Sequence, residues 1–216
     1  MNQHFELPRR LVDRENLVLE LCQHKKVLHL GCIDHPLLDY RIKSGTWLHG
    51  KLARVAKELV GIDNAKNEIE YLRNEFGINN ILCGDVEKLH EIKISVFDVV
   101  LAGEIIEHLS NPGLFLDGVK AFIANGGILI VTTVNAFCLR RMFRIPLGIE
   151  SVHPDHKCYF SHSTLTSLLT KHGYKIKERY NYRLPKRPPW IPYLLEVASS
   201  VISPNLAEGI IYIVEK

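Results

Sequence analysis

The chain has 216 residues, of which 46% are hydrophobic and 24% are charged, and its net charge is +3 at pH 7. This length suits one domain with a sizeable core, and the mild charge does not by itself call for a nucleic-acid partner. The five cysteines are scattered and form no Cys-x-x-Cys pair, which argues against a disulfide framework or a zinc knuckle. The polar first ten residues carry no signal-peptide core, so we expect a cytoplasmic protein.

The first third of the chain alternates helical and strand-like patterns. Apolar residues recur with helical spacing in residues 11–22, 48–59 and 65–76, and Gly77 is placed to cap the last of these helices. Between them, short apolar segments end in a glycine or are closed by an acid, at residues 27–31, 59–63 and 81–85. Strands that alternate with helices of this length predict βαβ units and a mainly parallel sheet.

Residues 97–109 form the stretch around which the chain is organised. Residues 96–102 are almost continuously apolar and rich in β-branched side chains, which predicts a strand buried on both faces of a sheet. Gly103 allows a turn, and a helix after it would place Glu104, Glu107 and His108 near one face. Because open α/β sheets bind ligands at the carboxyl ends of their strands, this is the pattern of an active site.

The second half of the chain continues the same alternation. Ser110, Asn111 and Pro112 form a good helix start, a strand follows at residues 128–134, and a capped helix is predicted at residues 161–172. Two closing strands, at residues 175–182 and 209–214, are separated by a proline-rich and then apolar stretch, residues 184–204, and can pair antiparallel at one edge. We expect a single domain over residues 1–216, with an N-terminal helix in 1–25, a core in 26–182 and an insertion or lid in 183–207.

The chain resembles the class I S-adenosylmethionine-dependent methyltransferases over residues 26–182. The resemblance rests on the order of four segments: Val27–Cys32, Val60–Asp63, Gly84–Val86 and residues 97–109. The resemblance implies a Rossmann-like, seven-stranded, mainly parallel α/β sheet with an antiparallel edge hairpin and helices on both faces. It also implies S-adenosylmethionine as cofactor, with Asp63 at the ribose and Asp85 and Val86 at the adenine. The full set of implied cofactor residues is Gly31, Cys32, Ile33, Asp63, Asn64, Asp85, Val86, Ala102, Gly103 and Glu104.

The glycine loop departs from that family. The family has three glycines at alternate positions, whereas Gly31 is followed by Ile33 and His35, and Asp63 lies 32 residues beyond Gly31. An insertion at residues 34–46 is therefore expected. Two interpretations remain open: an altered cofactor loop covered by Trp47 or His49, or loss of cofactor binding, which would make the chain a non-catalytic binding or scaffold protein.

The candidate catalytic residues are Glu104, Glu107, His108 and His156. Together they can bind a divalent metal that orients an acceptor hydroxyl, an arrangement that resembles the small-RNA 3′-end 2′-O-methyltransferases and, less closely, the ubiquinone-pathway O-methyltransferases. Alternatively, His108 or His156 is a metal-free general base. In a third interpretation, Glu107 and His108 only cap and pack the helix.

The acceptor is suggested by two segments that combine cations with apolar groups. Residues 140–146 can grip an acidic or phosphorylated acceptor, and residues 135–161 resemble acceptor loops of bacterial methyltransferases that modify cell-surface glycans. Residues 186–202 can form a lid, a dimer surface or a membrane contact. The leading hypothesis is O-methylation of a small molecule, a sugar or a lipid-linked glycan by a monomer or homodimer. RNA methylation is a further alternative, although the low charge and the lack of an aromatic–basic platform oppose it.

Overall fold

The computed structural model describes residues 5–150, 152–183 and 203–216. Its strands are β1 (Leu11–Asp13), β2 (Lys26–Leu30), β3 (Glu58–Asp63), β4 (Ile81–Cys83), β5 (Phe97–Gly103), β6 (Ile123–Val134), β7 (Lys175–Arg183) and β8 (Gly209–Glu215). Its α-helices are α1 (Arg14–Cys22), α2 (Leu38–Lys43), α3 (Leu48–Val55), α4 (Lys66–Phe76), α5 (Pro112–Val119), α6 (Leu139–Met142) and α7 (His162–Lys171).

The strands form one sheet in the order β4-β3-β2-β5-β6-β8-β7-β1. The five strands from β4 to β6 run parallel to their neighbours, and β8 is antiparallel to both β6 and β7. The predicted Rossmann-like, mainly parallel sheet is therefore confirmed. Because β2, β3, β4 and β5 are parallel neighbours, the loops that follow them meet at one edge, and this edge carries the candidate site.

Side chains alternate between the two buried faces of the sheet. From β5, Val100 and Ala102 join the larger core beneath α5 and α7, whereas Val99 and Leu101 join a second core beneath α1 and α3. A strand covered by helices on both faces needs apolar side chains on both, which explains the apolar run from Val99 to Ala102 in β5. A third core, around Trp47, packs α2 and α4 against the other end of the sheet.

The predicted helix boundaries are confirmed at three caps. Asn111 accepts a hydrogen bond from the backbone amide of Leu114 at the start of α5 (2.9 Å), and Ser161 forms a capping box with Thr164 at the start of α7. Gly77 ends α4 with φ of +67°, a left-handed conformation that favours glycine.

Two local predictions are wrong. Residues 11–22 do not form one helix, because Leu11–Asp13 instead pairs with β7 as an eighth strand and the Asp13 carboxylate caps α1 by accepting from Asn16 (2.9 Å). Residues 104–108 do not form an α-helical turn with one polar face. Only Ile106–His108 is helical, as a short 3₁₀ turn, because Ile106 and Glu107 are buried and hold it against the core.

Most of the predicted insertion, including residues 184–202, lies outside the described residues. Within the described residues, no helix has both the length and the apolar character needed to span a membrane.

Helix α5 offers a matched test of this packing. Leu116 is fully buried in the larger core, whereas Leu114, two residues earlier, is 49% exposed. We expect Leu116→Ala to lower the free energy of unfolding by about 2–5 kcal/mol because it leaves a cavity, and Leu114→Ala to change it by about 0.5 kcal/mol. Urea unfolding followed by circular dichroism measures both. Equal losses would contradict the described orientation of α5.

Candidate active site

A cleft of about 740 Å³ lies where the loops after β2, β3, β4 and β5 meet. This volume is in the range of sites that bind small molecules and cofactors. Eight of the ten sequence-predicted cofactor residues line it: Gly31, Ile33, Asp63, Asn64, Asp85, Val86, Gly103 and Glu104. The other two, Cys32 and Ala102, are buried in the hydrophobic cores instead.

Asp63, the last residue of β3, is held by two neighbouring loops. Its Oδ2 accepts a hydrogen bond from the backbone amide of Ile33 (2.9 Å), and its Oδ1 accepts from that of Ala65 (3.1 Å). Burial raises the pKa of this carboxyl group, while the backbone donors act in the opposite direction. A carboxylate can accept about four hydrogen bonds, so Asp63 keeps capacity for a ligand in the cleft.

The loop after β2 closes tightly with a single glycine. Gly31 has φ of +65°, and a Cβ atom there would come within 2.7 Å of the Ile105 side chain. Trp47 does not cover this loop from the cleft: it is 5% exposed, and its indole N–H donates to the Cys32 carbonyl (2.8 Å) from the core side. His49 is also buried behind the loop, stacked on His29, so the predicted cover over the cofactor loop is wrong.

The opposite part of the cleft is formed by three imidazoles, His108, His153 and His156, which we call the histidine cluster. One ring nitrogen from each lies within 4.8 Å of the others. The ring centroids of His108 and His156 are 4.6 Å apart. Sequence reasoning selected His108 and His156 but missed His153, although the spacing His153-x-x-His156 was the available signal.

Two members of the histidine cluster have lowered pKa values. Burial, followed by the neighbouring His108 and His153, lowers the pKa of His156 to about 4. Burial and then His153 lower the pKa of His108. Both imidazoles are therefore neutral near pH 7, and neutral imidazoles can accept a proton or bind a cation.

Glu104 is anchored beside the cleft by residues far away in sequence. Its backbone has φ of +54°, and its carboxylate accepts hydrogen bonds from the hydroxyl groups of Thr132 (3.1 Å) and Tyr182. The guanidinium of Arg14 lies 3.7 Å from the same carboxylate and over the Tyr182 ring. Sequence reasoning missed Arg14 and Tyr182, because nothing local in the chain links them to Glu104.

Glu107 is fully buried and does not line the cleft. Its Oε2 accepts from the Thr133 hydroxyl (2.8 Å), while its Oε1 has no hydrogen-bond partner among the described residues. Burial, and next the nearby Glu104 charge, raise the pKa of Glu107 to about 8. Among the described residues, the group with metal-binding geometry contains neither Glu104 nor Glu107, so the four candidate ligands do not converge as expected.

The basic segment of residues 140–146 does not present its first two cations to the cleft. Arg140 lies 3.4 Å from the Glu208 carboxylate, and Arg141 donates to the Asn135 carbonyl (3.0 Å). Among the described lysines and arginines, Lys157 lines the cleft, and its ammonium donates to the neutral hydroxyl of Ser110 (2.7 Å).

The raised pKa of Glu107 has a consequence for stability. Below pH 4.5 the group is protonated in the folded and unfolded states. As pH rises toward about 8, only the unfolded chain ionises, so stability is lost. Glu107→Gln cannot ionise, and we expect its stability advantage over the wild type to grow across this window by on the order of a few kcal/mol and then level off.

The measurement is urea unfolding from about pH 5 to about pH 9. The control is Glu70→Gln, which removes a side chain that is 55% exposed on α4 and should run parallel to the wild type. Parallel curves for Glu107→Gln and the wild type would show that Glu107 ionises normally in the folded protein.

Comparison with known proteins agrees with this geometry. Residues 44–131 match the family described as "Methyltransferase domain". The ubiquinone biosynthesis O-methyltransferase of Azorhizobium caulinodans is 32% identical over 114 residues, covering 51% of this chain and 40% of that protein. The human mitochondrial ubiquinone biosynthesis O-methyltransferase is 25% identical over 186 residues, covering 76% of this chain and 47% of that protein. The chain thus spans less than half the length of either relative.

Solved structures share the fold at low sequence identity. An S-adenosylmethionine-dependent methyltransferase from Archaeoglobus fulgidus has a TM-score of 0.58 at 15% identity, with 94% of each chain covered. The N-methyltransferase NodS from Bradyrhizobium japonicum, in complex with S-adenosyl-L-homocysteine, has a TM-score of 0.56 at 16% identity, covering 93% of this chain and 84% of NodS. Residues 44–131 thus match a methyltransferase-domain family, the chain has the fold of the class I S-adenosylmethionine-dependent methyltransferases, and its sequence is distantly similar to the ubiquinone O-methyltransferases.

Proposed function

We propose that the protein transfers a methyl group from S-adenosylmethionine to a hydroxyl oxygen of a small acceptor. The observation that carries this proposal is that one cleft combines carboxylates at the ends of β3 and β4 with the histidine cluster, in which the pKa values of His108 and His156 are lowered. The first part suits a nucleoside cofactor, and the second part suits an acceptor that must lose a proton.

The residues of the cofactor half fit S-adenosylmethionine. Asp63 is positioned to accept from the ribose hydroxyls with the lone pairs that its two backbone donors leave free. Asp85 and Val86 begin a 3₁₀ turn on the cleft and are assigned to the adenine, and Asn64 lies beside Asp63. The backbone of Gly31, together with Gly103 and Glu104, is assigned to the methionine part, whereas Ala102 is buried in the core and has no assigned contact. When bound, the cofactor supplies an electrophilic methyl group on a sulfonium.

The histidine cluster lies where the acceptor would bind. A hydroxyl group attacks a methyl carbon efficiently only as it loses its proton, and a neutral imidazole within hydrogen-bond reach can assist this loss. His108 and His156 are the proposed catalytic residues, and Glu104 is proposed to shape the space between them and the cofactor. Glu107 has no direct role in this proposal, because it is buried away from the cleft.

The acceptor is proposed to be small and to carry a negative group. The cleft must hold the cofactor as well as the acceptor, and the ammonium of Lys157 is paired with a neutral hydroxyl group rather than with a carboxylate. An oxygen acceptor is favoured by the sequence similarity to O-methyltransferases, although NodS, a structural relative, is an N-methyltransferase.

Cofactor binding is tested through Asp63. Isothermal titration with S-adenosyl-L-homocysteine should show one site per chain, and Asp63→Asn should weaken it at least about tenfold because a charge-assisted acceptor is lost. Glu70→Gln on the surface of α4 should bind like the wild type. If the wild-type protein binds neither this compound nor S-adenosylmethionine, the proposed cofactor binding is wrong and the interpretation as a non-catalytic protein remains.

Acceptor chemistry is tested with radiolabelled methyl transfer to a panel of phenols, sugar nucleotides and amines. Transfer to oxygen acceptors is expected, and transfer to amines alone would contradict O-methylation. On the best acceptor, His108→Ala should lower kcat at least about 100-fold while leaving affinity for S-adenosyl-L-homocysteine nearly unchanged. His90→Ala, which removes an imidazole with a side chain that is 71% exposed, is the matched control.

The pH profile follows from the direction of the pKa shifts. Because the pKa values of His108 and His156 are lowered, activity should not yet fall at pH 6.5, where an ordinary histidine is half protonated. It should fall on further acidification as His108 and His156 become protonated, with a midpoint near pH 4 where His156 is the titrating group. A midpoint at or above pH 6.5 would assign the titration to another group.

A further inference from the structure

We propose that His108, His153 and His156 form a binding site for one divalent transition-metal cation of the Zn²⁺ class. The proposal concerns a cation held by nitrogen atoms only, and it differs from the carboxylate-containing set that the sequence suggested. It rests on four features of the described residues: the convergence of the imidazoles, their chemistry, a buried nitrogen without a partner, and a carboxylate behind one ring.

The convergence is close to what a cation requires. A tetrahedral Zn²⁺ about 2.0–2.1 Å from each imidazole nitrogen holds those nitrogens about 3.3 Å apart. The three candidate nitrogens already lie within 4.8 Å of one another. A side-chain rotation would cover the difference, and the His153 side chain, which is 55% exposed, has the most room for it.

The donor set selects the class of cation. Imidazole nitrogen suits Zn²⁺, Co²⁺, Ni²⁺ and Cu²⁺, whereas Mg²⁺ and Ca²⁺ require oxygen ligands. Glu104 is engaged by Thr132 and Tyr182, and Glu107 is buried against Thr133, so neither carboxylate joins the cluster. A site for Mg²⁺ is therefore not what this arrangement favours.

A second observation points to a missing ligand. The Nδ1 atom of His156 is buried and has no hydrogen-bond partner among the described residues. Buried polar atoms are rarely left in this state, and each such atom needs an explanation. A cation bound by the cluster through this nitrogen would supply the missing partner.

Asp155 supplies the supporting contact that metal-binding histidines commonly have. Its carboxylate Oδ2 lies 3.6 Å from Nδ1 of His153. The backbone amide of Asp155 also contacts this Nδ1 (3.3 Å), so Asp155 engages Nδ1 and leaves Nε2 of His153 for a metal. Asp155 also lines the cleft, so the support and the proposed site share one loop.

The position of the site suggests what it does. Three protein ligands leave at least one coordination position for an exogenous group, as in catalytic zinc sites. All three histidines line the cleft that is proposed to hold the acceptor, so a hydroxyl group bound there would have its pKa lowered by the cation. This role rests on the proposed methyl transfer, whereas metal binding itself does not.

The experiment is a titration of metal-free, full-length protein with Co²⁺, followed by displacement with Zn²⁺. It uses a Cys83→Ser background, because Cys83 is an exposed free thiol that can bind metal on its own. We expect one Co²⁺ per chain, with the intense visible absorption of a four- or five-coordinate site, which Zn²⁺ abolishes. His108→Ala, His153→Ala and His156→Ala should each weaken binding at least about tenfold.

Two control variants separate this site from the alternatives. Glu104→Gln should bind Co²⁺ like the parent protein, and so should His90→Ala. The proposal is overturned if the parent binds no Co²⁺, if His153→Ala binds it unchanged, or if Glu104→Gln abolishes binding.

The fold of the variants is checked by their affinity for S-adenosyl-L-homocysteine, which His153→Ala should retain. The metal titration needs neither cofactor nor acceptor. A negative result would therefore overturn the metal site without bearing on the proposed methyl transfer, which is tested by its own experiments. Conversely, a protein that binds Co²⁺ but no S-adenosyl-L-homocysteine would retain the metal site and lose the proposed function.

Discussion

The hydrogen bond from the backbone amide of Ile33 to the carboxylate of Asp63 is the contact on which the cofactor half of the cleft depends. It ties the loop after β2 to the end of β3. These two strands are parallel and paired along their length, with Leu30 opposite Ile62. One glycine in the left-handed region is enough to turn that loop, because Asp63 holds its far side. The glycine-poor loop is therefore compatible with an intact binding site and does not by itself imply loss of the cofactor.

Burial decides the positions of the three ionisable residues that follow β5, which are Glu104, Glu107 and His108. Ile106 belongs to the larger core and Glu107 is buried beside it, so the chain can form only a short 3₁₀ turn there. This turn sends Glu107 inward, where desolvation favours its protonated form, and leaves His108 in the cleft. Glu104 is kept at the cleft by Thr132, Tyr182 and Arg14, so a residue from the N-terminal segment completes the site.

The histidine cluster shows how two distant segments are joined. The backbone amide of Lys157 donates to the carbonyl of Glu107 (2.8 Å), which places the loop of His153 and His156 directly against the turn that carries His108. Burial and then the neighbouring rings lower the pKa values of His108 and His156. Imidazoles kept neutral in this way suit both proton removal and cation binding, and the Co²⁺ titration tests the second.

The amino-acid sequence was enough to predict the alternation of strands and helices, the caps of α4, α5 and α7 and, with the family resemblance, ten of the residues that line the cleft. These features depend on local patterns: apolar periodicity, turn residues, and acids or glycines at strand ends, which a parallel sheet must bring to one edge. Only the tertiary structure decided the eighth strand, the inward direction of Glu107, the partners Arg14 and Tyr182 of Glu104, and the inclusion of His153. These depend on contacts between residues far apart in the chain and on which side chains the core removes from water, and neither leaves a periodic signal in the sequence.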